Sequence, residues 1–531
     1  MKSLMKKVFA AAAAIATVFG LAATTVATAN AADNATLTVS TTDAKFAGKT
    51  VNAYKMFSAT VSGDGKAVSY TLTDEWNPCF KNSTASGLTD VTDANINDKA
   101  NDYVSKLKDS ALTAFAAKAS NWAQNTANSI TADATATVSK IAATDGKYTA
   151  TFTGLDYGYY VVAVPGATVA DTNSQYAALV RVHSTKVDAD IKGALPTVDK
   201  KVQVDGTGKD ATDAKIGDTL KFTLTSTIPD MSAYDTYTFN FKDTLSKGLT
   251  FGQVKSVKVE NVTLTENTDY TVTTPTASNN NTLTVAMKDF KTKQQANAGK
   301  KITVTYTATL NKDAVVGGAG NVNSAKIQYS NNPSTNGTGE SEPSKVRVFT
   351  YGFTVDKYTG DQYTDAATRL AGAKFTLAPK NGDPMSFVQV SAGSATANAV
   401  YRVAKAGETG TTTITTPENG KVDFQGLKNG EYTLTETKAP AGYNKLASAI
   451  GVKVNGQNNG TDTTNATVTI TYNNDNGNDY NQTASNGVIP VQNKSGAILP
   501  GTGGMGTIAF TVIGVLVIAL GVAWTLKRKN A

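Results

Sequence analysis

The sequence predicts an all-β protein built from three tandem β-sandwich domains, the first carrying a helical insertion. Three observations carry that prediction. Most of the chain is rich in Thr, Val, Tyr and Asn, with apolar and polar residues alternating. Thr219-Leu220-Lys221-Phe222-Thr223-Leu224, Lys301-Ile302-Thr303-Val304-Thr305-Tyr306 and Thr467-Val468-Thr469-Ile470-Thr471-Tyr472 all show a period of two, the signature of a half-buried strand. Turns of Gly, Asn and Asp separate such runs, as they do in sandwiches.

Taken in order, the N-terminus has Lys2, Lys6 and Lys7, then an apolar run over 8–23, then Ala29-Asn30-Ala31. This reads as a secretory signal peptide over 1–31 with an Ala-x-Ala cleavage site. The first domain is expected over 32–193. Within it, from 95 to about 127, Val104, Leu107, Ala111, Phe115 and Trp122 recur at helical spacing, which predicts one or two core-facing helices. Gly193-Ala194-Leu195-Pro196 closes that domain, and the Asn-, Gly-, Ser- and Pro-rich segment 331–344 leads to the next boundary. The middle and C-terminal domains are therefore expected at 194–347 and 348–498. The last segment, 499–531, contains Leu499-Pro500-Gly501-Thr502-Gly503, an apolar stretch over 508–526, and Lys527-Arg528-Lys529. The apolar stretch is long enough to cross a bilayer as a helix, with the basic cluster on the cytoplasmic side.

Composition narrows the function classes. The net charge of +7 falls to about +1 once the six basic residues of the two ends are set aside. No basic, aromatic-interleaved patch supports nucleic-acid binding. Cys79 is the only cysteine, so an intrachain disulfide is impossible, although an exported protein has that option. His183 is the only histidine, expected on the polar face of a strand. It comes without a nucleophile motif, and no His/Cys cluster or EF-hand loop is present. Neither a metal site nor a cofactor is expected.

Strand parity singles out a costly set of residues. In a strand, residues of equal parity share a face. Phe353, Val355 and Lys357 share one face, as do Tyr432, Leu434 and Glu436, and Ile489, Val491 and Asn493. The middle domain repeats the pattern with Val198, Lys200 and Val202, with Tyr237, Phe239, Phe241 and Asp243, and with Asn323, Ala325, Ile327 and Tyr329. Parity selects Lys200 over Lys201 but leaves Asn323 and Asn321 equivalent. A Lys, an acid and an Asn are expensive to bury unless they meet.

These segments resemble CnaB-type immunoglobulin-like domains, which form intramolecular Lys–Asn isopeptide bonds. The matching pieces are Val198-Asp199-Lys200, Val355-Asp356-Lys357, Tyr432-Thr433-Leu434-Thr435-Glu436-Thr437, Phe241-Lys242-Asp243-Thr244-Leu245 and Asn493. The resemblance implies cross-links Lys200–Asn323 and Lys357–Asn493, with Asp243 and Glu436 as the acids that promote them. Burial favours the neutral forms of both an amine and a carboxylic acid. The neutral amine is the nucleophile, and the acid can stabilise the oxyanion and shuttle protons as ammonia leaves. A buried, hydrogen-bonded salt bridge is the alternative. In the first domain, Phe152-Thr153-Gly154-Leu155 and Gly158-Tyr159-Tyr160 look like the same family's late strands. No acid follows there and the first strand has no lysine, so no bond is expected.

The tail resembles the LPXTG-type sorting signal of Gram-positive sortase substrates, in which the enzyme cuts between Thr502 and Gly503 and passes the threonyl carboxyl to an amine. The segment Lys192-Gly193-Ala194-Leu195-Pro196-Thr197-Val198-Asp199-Lys200 resembles the acceptor region of sortase-assembled pilus backbone subunits. Lys192 is the favoured acceptor by spacing, with Lys186 second. The resemblance implies a major pilus (fimbrial) subunit and not an enzyme. Its partners would be pilin-specific and housekeeping sortases, other copies of itself in a covalent homopolymer, minor or tip pilins, and peptidoglycan, with host matrix or glycans as adhesive ligands. It would be secreted and fixed to the cell wall. A monomeric wall-anchored adhesin is the alternative, and it would not need an acceptor lysine.

Overall fold

The computed structural model describes residues 34–529 apart from 64–65, 170–174, 192, 233, 332–335, 362–367, 458–465, 475–478 and 497–504. Six sheets form three successive two-sheet units. The signal peptide, Lys192 and the pentapeptide Leu499 to Gly503 lie outside the described residues.

In the first unit, Ala35–Thr41 pairs antiparallel with Tyr148–Leu155 and parallel with Lys186–Asp190. The facing sheet centres on Thr50–Val61 and Gly158–Val169. Gly158–Val169 is an apolar run without alternation because both of its faces are covered. Tyr160, Val162 and Val164 face the sandwich core, whereas Val161 and Ala163 pack in a second core with the helices Ile96–Lys106 and Asp109–Gln124. The expected helical insertion is thus two helices on the outside of that sheet. The chain breaks at Leu107 and restarts at Asp109, which leaves Ala111 exposed; Phe115, Ala116, Ala119 and Ala123 make the buried stripe instead. The adjoining strand ends at Val182, so His183 is an exposed residue just past it.

In the middle unit, Asp199–Val204, Thr219–Thr227, Lys301–Leu310 and Leu249–Val259 are neighbours in one sheet. Facing it are Ser344–Phe349, Asn321–Ser330, Phe239–Leu245, Thr282–Met287 and Tyr270–Thr273. The first domain's sheet reaches Ala194, which pairs with Thr168. The middle sheet reaches Phe349, two residues beyond the expected edge at 347, because Ser344–Phe349 pairs with Asn321–Ser330. Segment 331–344 is likewise no simple linker, since Thr338–Glu340 pairs with that same strand.

In the C-terminal unit, Tyr351–Tyr358 lies between Lys421–Leu427, antiparallel, and Val488–Gln492, parallel. The facing sheet runs through Lys374–Pro379, Gly430–Lys438, Ile450–Gln457 and Thr467–Asn473. Thr350 alone separates the last middle strand from the first C-terminal one, and its buried hydroxyl donates to Leu427 O at 3.0 Å. Asn429 clamps the junction, its N–H and side-chain amide donating to the two Asp213 carboxylate oxygens at 2.7 and 3.2 Å. Ile216 N–H donates to Gly426 O at 3.0 Å. A Cβ at Gly426 would lie 2.6 Å from the Ile216 side chain, and its φ of +85° is left-handed, so only glycine suits that contact. Beyond the sandwiches, Met505–Lys529 forms one apolar helix of 25 residues, about 37 Å long at 1.5 Å per residue.

Candidate functional site

In the middle domain, alternation alone sends Lys200, Asp243 and Asn323 into the core, and all three are 0% exposed. Lys200 comes from one sheet, Asp243 and Asn323 from the other, where Asn323 sits opposite Leu245. Lys200 Nζ hydrogen-bonds Asp243 Oδ2 as a buried ion pair. It also donates to the Tyr306 hydroxyl at 2.9 Å. Tyr306 donates to Asp243 Oδ2 at 2.6 Å and accepts from Asn323 Nδ2 at 2.6 Å. Phe222 stacks on Tyr306 with ring centroids 5.3 Å apart, and the ammonium stands 5.2 Å from each ring. Asp243 Oδ1 and Asn323 Oδ1 have no hydrogen-bond partner. Burial pulls the Lys200 ammonium down to about 8, against the opposing pull of Asp243.

Asn321, equivalent to Asn323 by parity, does something else. Its amide accepts from Val315 N–H at 2.9 Å and donates to Val315 O and Val348 O, both at 3.1 Å. It ties down a loop and never reaches the lysine. Lys201 is at the surface, paired with Asp210 at 2.6 Å and Asp199 at 3.3 Å.

In the C-terminal domain, Lys357, Glu436 and Asn493 are 0, 2 and 1% exposed. Lys357 lies opposite Val491 in the parallel pair, and Asn493 N–H donates to Tyr358 O at 2.9 Å just beyond it. Lysine and asparagine therefore come from neighbouring strands of one sheet, and Glu436 reaches them from the facing sheet. Lys357 Nζ is 3.2 Å from Glu436 Oε1, an ion-pair distance without hydrogen-bond alignment. Asn493 Nδ2 donates to Glu436 Oε2 at 3.0 Å and to Asn444 O at 2.9 Å, and Leu446 N–H donates to Glu436 Oε2 at 2.8 Å. Burial brings Lys357 down to about 8 as well, opposed by Glu436.

Each group can do one kind of chemistry. A weakly basic amine and a carboxamide are held beside a single carboxyl group, away from water, which suits amine attack with loss of ammonia. Strand register locates the corresponding positions of the first domain. The Tyr160 hydroxyl donates to Asp156 O as Tyr432 does to Lys428 O, both at 2.8 Å, which aligns Val164 with Glu436. The parallel pairings align Thr41 with Lys357 and Gly193 with Asn493. These three positions offer no amine, carboxyl or carboxamide. Lys186 is exposed at the start of an edge strand. Cys79 is buried among apolar side chains, with its thiol pushed up to about 12 by burial.

Tyr306 is not among the residues that strand parity singles out. Its signal was available, because Ile302, Val304, Tyr306, Ala308 and Leu310 alternate into the core. An inward aromatic looks like packing until its hydroxyl is found against three polar atoms.

Residues 216–333 match the family model of the Gram-positive pilin backbone subunit 2, Cna-B-like domain. That match covers 118 residues of the middle sandwich. Residues 361–469 match the SpaA prealbumin-like fold domain. The chain is 26% identical over 279 residues to the trypsin-resistant surface T6 protein of Streptococcus pyogenes serotype M6, a match covering 48% of this chain and 44% of that protein. The alignment thus spans less than half of the relative's length. Among solved structures, the T6 backbone pilin of the same serotype is 18% identical, with a TM-score of 0.46 and 88% and 99% of the two chains covered. BcpA, the major pilin subunit of Bacillus cereus, is 18% identical with a TM-score of 0.40, covering 87% and 99%.

Proposed function

We propose that this chain is the major backbone subunit of a covalently assembled surface pilus, a self-modifying substrate and not an enzyme. The observation that carries the proposal is the pair of buried Lys–acid–Asn groups in the middle and C-terminal sandwiches, since nothing in an ordinary sandwich requires them. Each group closes on itself once. Moving one proton across the Lys–carboxylate contact leaves a neutral amine and a carboxylic acid. Lys200 Nζ then attacks Asn323 Cγ, and Lys357 Nζ attacks Asn493 Cγ. The acid returns its proton to the departing nitrogen and takes one from the attacking nitrogen, so that an amide forms and ammonia leaves. By the arithmetic of a cross-link that closes a loop of this length, each bond stabilises its domain by about 5 kcal/mol. That replaces the disulfides a single cysteine cannot supply.

In the same reading, the domains divide near 193 and 347, a pilin sortase cleaves between Thr502 and Gly503, and Lys192 of the next subunit accepts the Thr502 carboxyl. The helix Met505–Lys529 holds the precursor in the membrane until that step. Minor pilins, peptidoglycan and host surfaces complete the partner set, and the chain ends on the cell surface. Mass spectrometry of the assembled material tests this directly. The expected results are a mature subunit two ammonia molecules lighter than its sequence, a peptide joining Thr502 to Lys192, and loss of the high-mass ladder in Lys192→Ala. A full-mass subunit refutes the cross-links, and a ladder that survives Lys192→Ala refutes the acceptor.

A further inference from the structure

Resting on the cross-link reading above, we propose that Tyr306 is a catalytic residue of the middle-domain bond, its hydroxyl relaying the proton between Asp243 and the departing nitrogen of Asn323. The argument begins with side-chain length. In the C-terminal domain Glu436 spans both partners, one oxygen 3.2 Å from the lysine and the other 3.0 Å from the Asn493 amide nitrogen. Aspartate is one methylene shorter. Asp243 engages Lys200 but makes no hydrogen bond to Asn323, and its Oδ1 is unpartnered. The Tyr306 hydroxyl fills the missing step. It donates its one hydrogen to Asp243 and uses both lone pairs, accepting from Asn323 Nδ2 and Lys200 Nζ. A phenol has one donor and two acceptor sites, so its hydrogen-bonding capacity is saturated by the three reacting groups.

The balance closes without any outside reagent. Starting from the neutral amine and the carboxylic acid, Lys200 Nζ bonds to Asn323 Cγ and gives up a proton to Asp243. Asp243 passes a proton to the Tyr306 oxygen as Tyr306 passes its own to Asn323 Nδ2. The Cγ–Nδ2 bond breaks, ammonia leaves, and tyrosine and carboxyl end in the protonation states in which they began. Burial and the neighbouring Asp243 hold the Tyr306 phenol well above its ordinary range, so it stays a proton carrier and never rests as a phenolate. The stack on Phe222 and the strand pairing of Tyr306 with Phe222 fix the ring.

The test is cell-free synthesis of the full chain, followed at intervals by intact and peptide mass spectrometry. In Tyr306→Phe, which keeps the ring and its stack, the Lys357–Asn493 bond should form on the wild-type time course. The Lys200–Asn323 bond should form roughly 100-fold more slowly or more so, as expected for a lost acid–base group. A Tyr306→Phe rate within twofold of wild type overturns the proposal while leaving the cross-link reading intact. Absence of the Lys200–Asn323 peptide in the wild-type chain would instead remove that reading. A fluorinated tyrosine at 306 separates chemistry from packing and does not depend on the phenylalanine variant folding. It keeps the shape and lowers the phenol pKa, so a relay limited by proton donation to Asn323 Nδ2 predicts severalfold faster ammonia loss, whereas an unchanged rate overturns the proposal.

Discussion

In the middle domain the lysine comes from one sheet, and the acid and asparagine come from the other. In the C-terminal domain lysine and asparagine lie on neighbouring parallel strands, and only the acid crosses the core. The same three groups are thus reached from two scaffolds. What stays constant is an acid facing a lysine across a dry core. The asparagine can join from either side, provided something spans the gap between it and the acid. Glutamate does this alone; aspartate does it through a tyrosine. The first domain has the same strand framework with Thr41, Val164 and Gly193 at the three positions, so the framework does not by itself demand the chemistry.

The comparison breaks most severely if the acids are removed. Asp243→Ala and Glu436→Ala should each retain one ammonia and destabilise only their own domain, by about 5 kcal/mol from the lost loop closure. Domain-resolved denaturation together with intact mass checks this, and a loss shared by both domains would show that the bonds are not independent. Changing the acid's length is the next test. Glu436→Asp shortens the reach with no tyrosine to compensate, so its bond should form roughly 100-fold more slowly, read from the time course of ammonia loss.

A third test uses pH. In Asn323→Ala and Asn493→Ala the lysines stay free, with folded-state values near 8 against 10.5 unfolded. Between those values the unfolded chain binds more protons than the folded one, so stability should rise with pH through that window. The slope should be on the order of 1 kcal/mol per pH unit for each free lysine. The proposed wild-type amides would not titrate, so urea midpoints there should lack that slope. The smallest effect belongs to Asn321→Ala. Both ammonia losses should persist, with stability reduced by about 2 kcal/mol because buried loop groups lose their partners. Retention of one ammonia in that variant would mean that Asn321, and not Asn323, is the bonding residue.

Much of this was readable from alternation. Period-two runs located the strands, and parity alone chose Lys200 over Lys201 and put Glu436 and Asn493 inside. Parity could not separate Asn323 from Asn321, because both face inward. The difference arises from pairing register, which sets Asn323 opposite Leu245 near the lysine and Asn321 opposite Val348 beside a loop. Tyr306 was hidden for a related reason: alternation reports which face a side chain takes, not what its last atom touches. Turn-forming composition over 331–344 does not prevent Thr338–Glu340 from pairing with Asn321–Ser330.

Thr350 has a consequence for how such a molecule would bend. A connector of one buried residue, with Asp213 and Asn429 clamped beside it, leaves the two sandwiches no slack about which to swivel. The middle and C-terminal domains would behave as a single stiff rod. In a filament built from such rods, curvature would collect at the joins between subunits and around the first domain. The fibre would flex like a chain of long links, with a spacing between bends set by two domains instead of one.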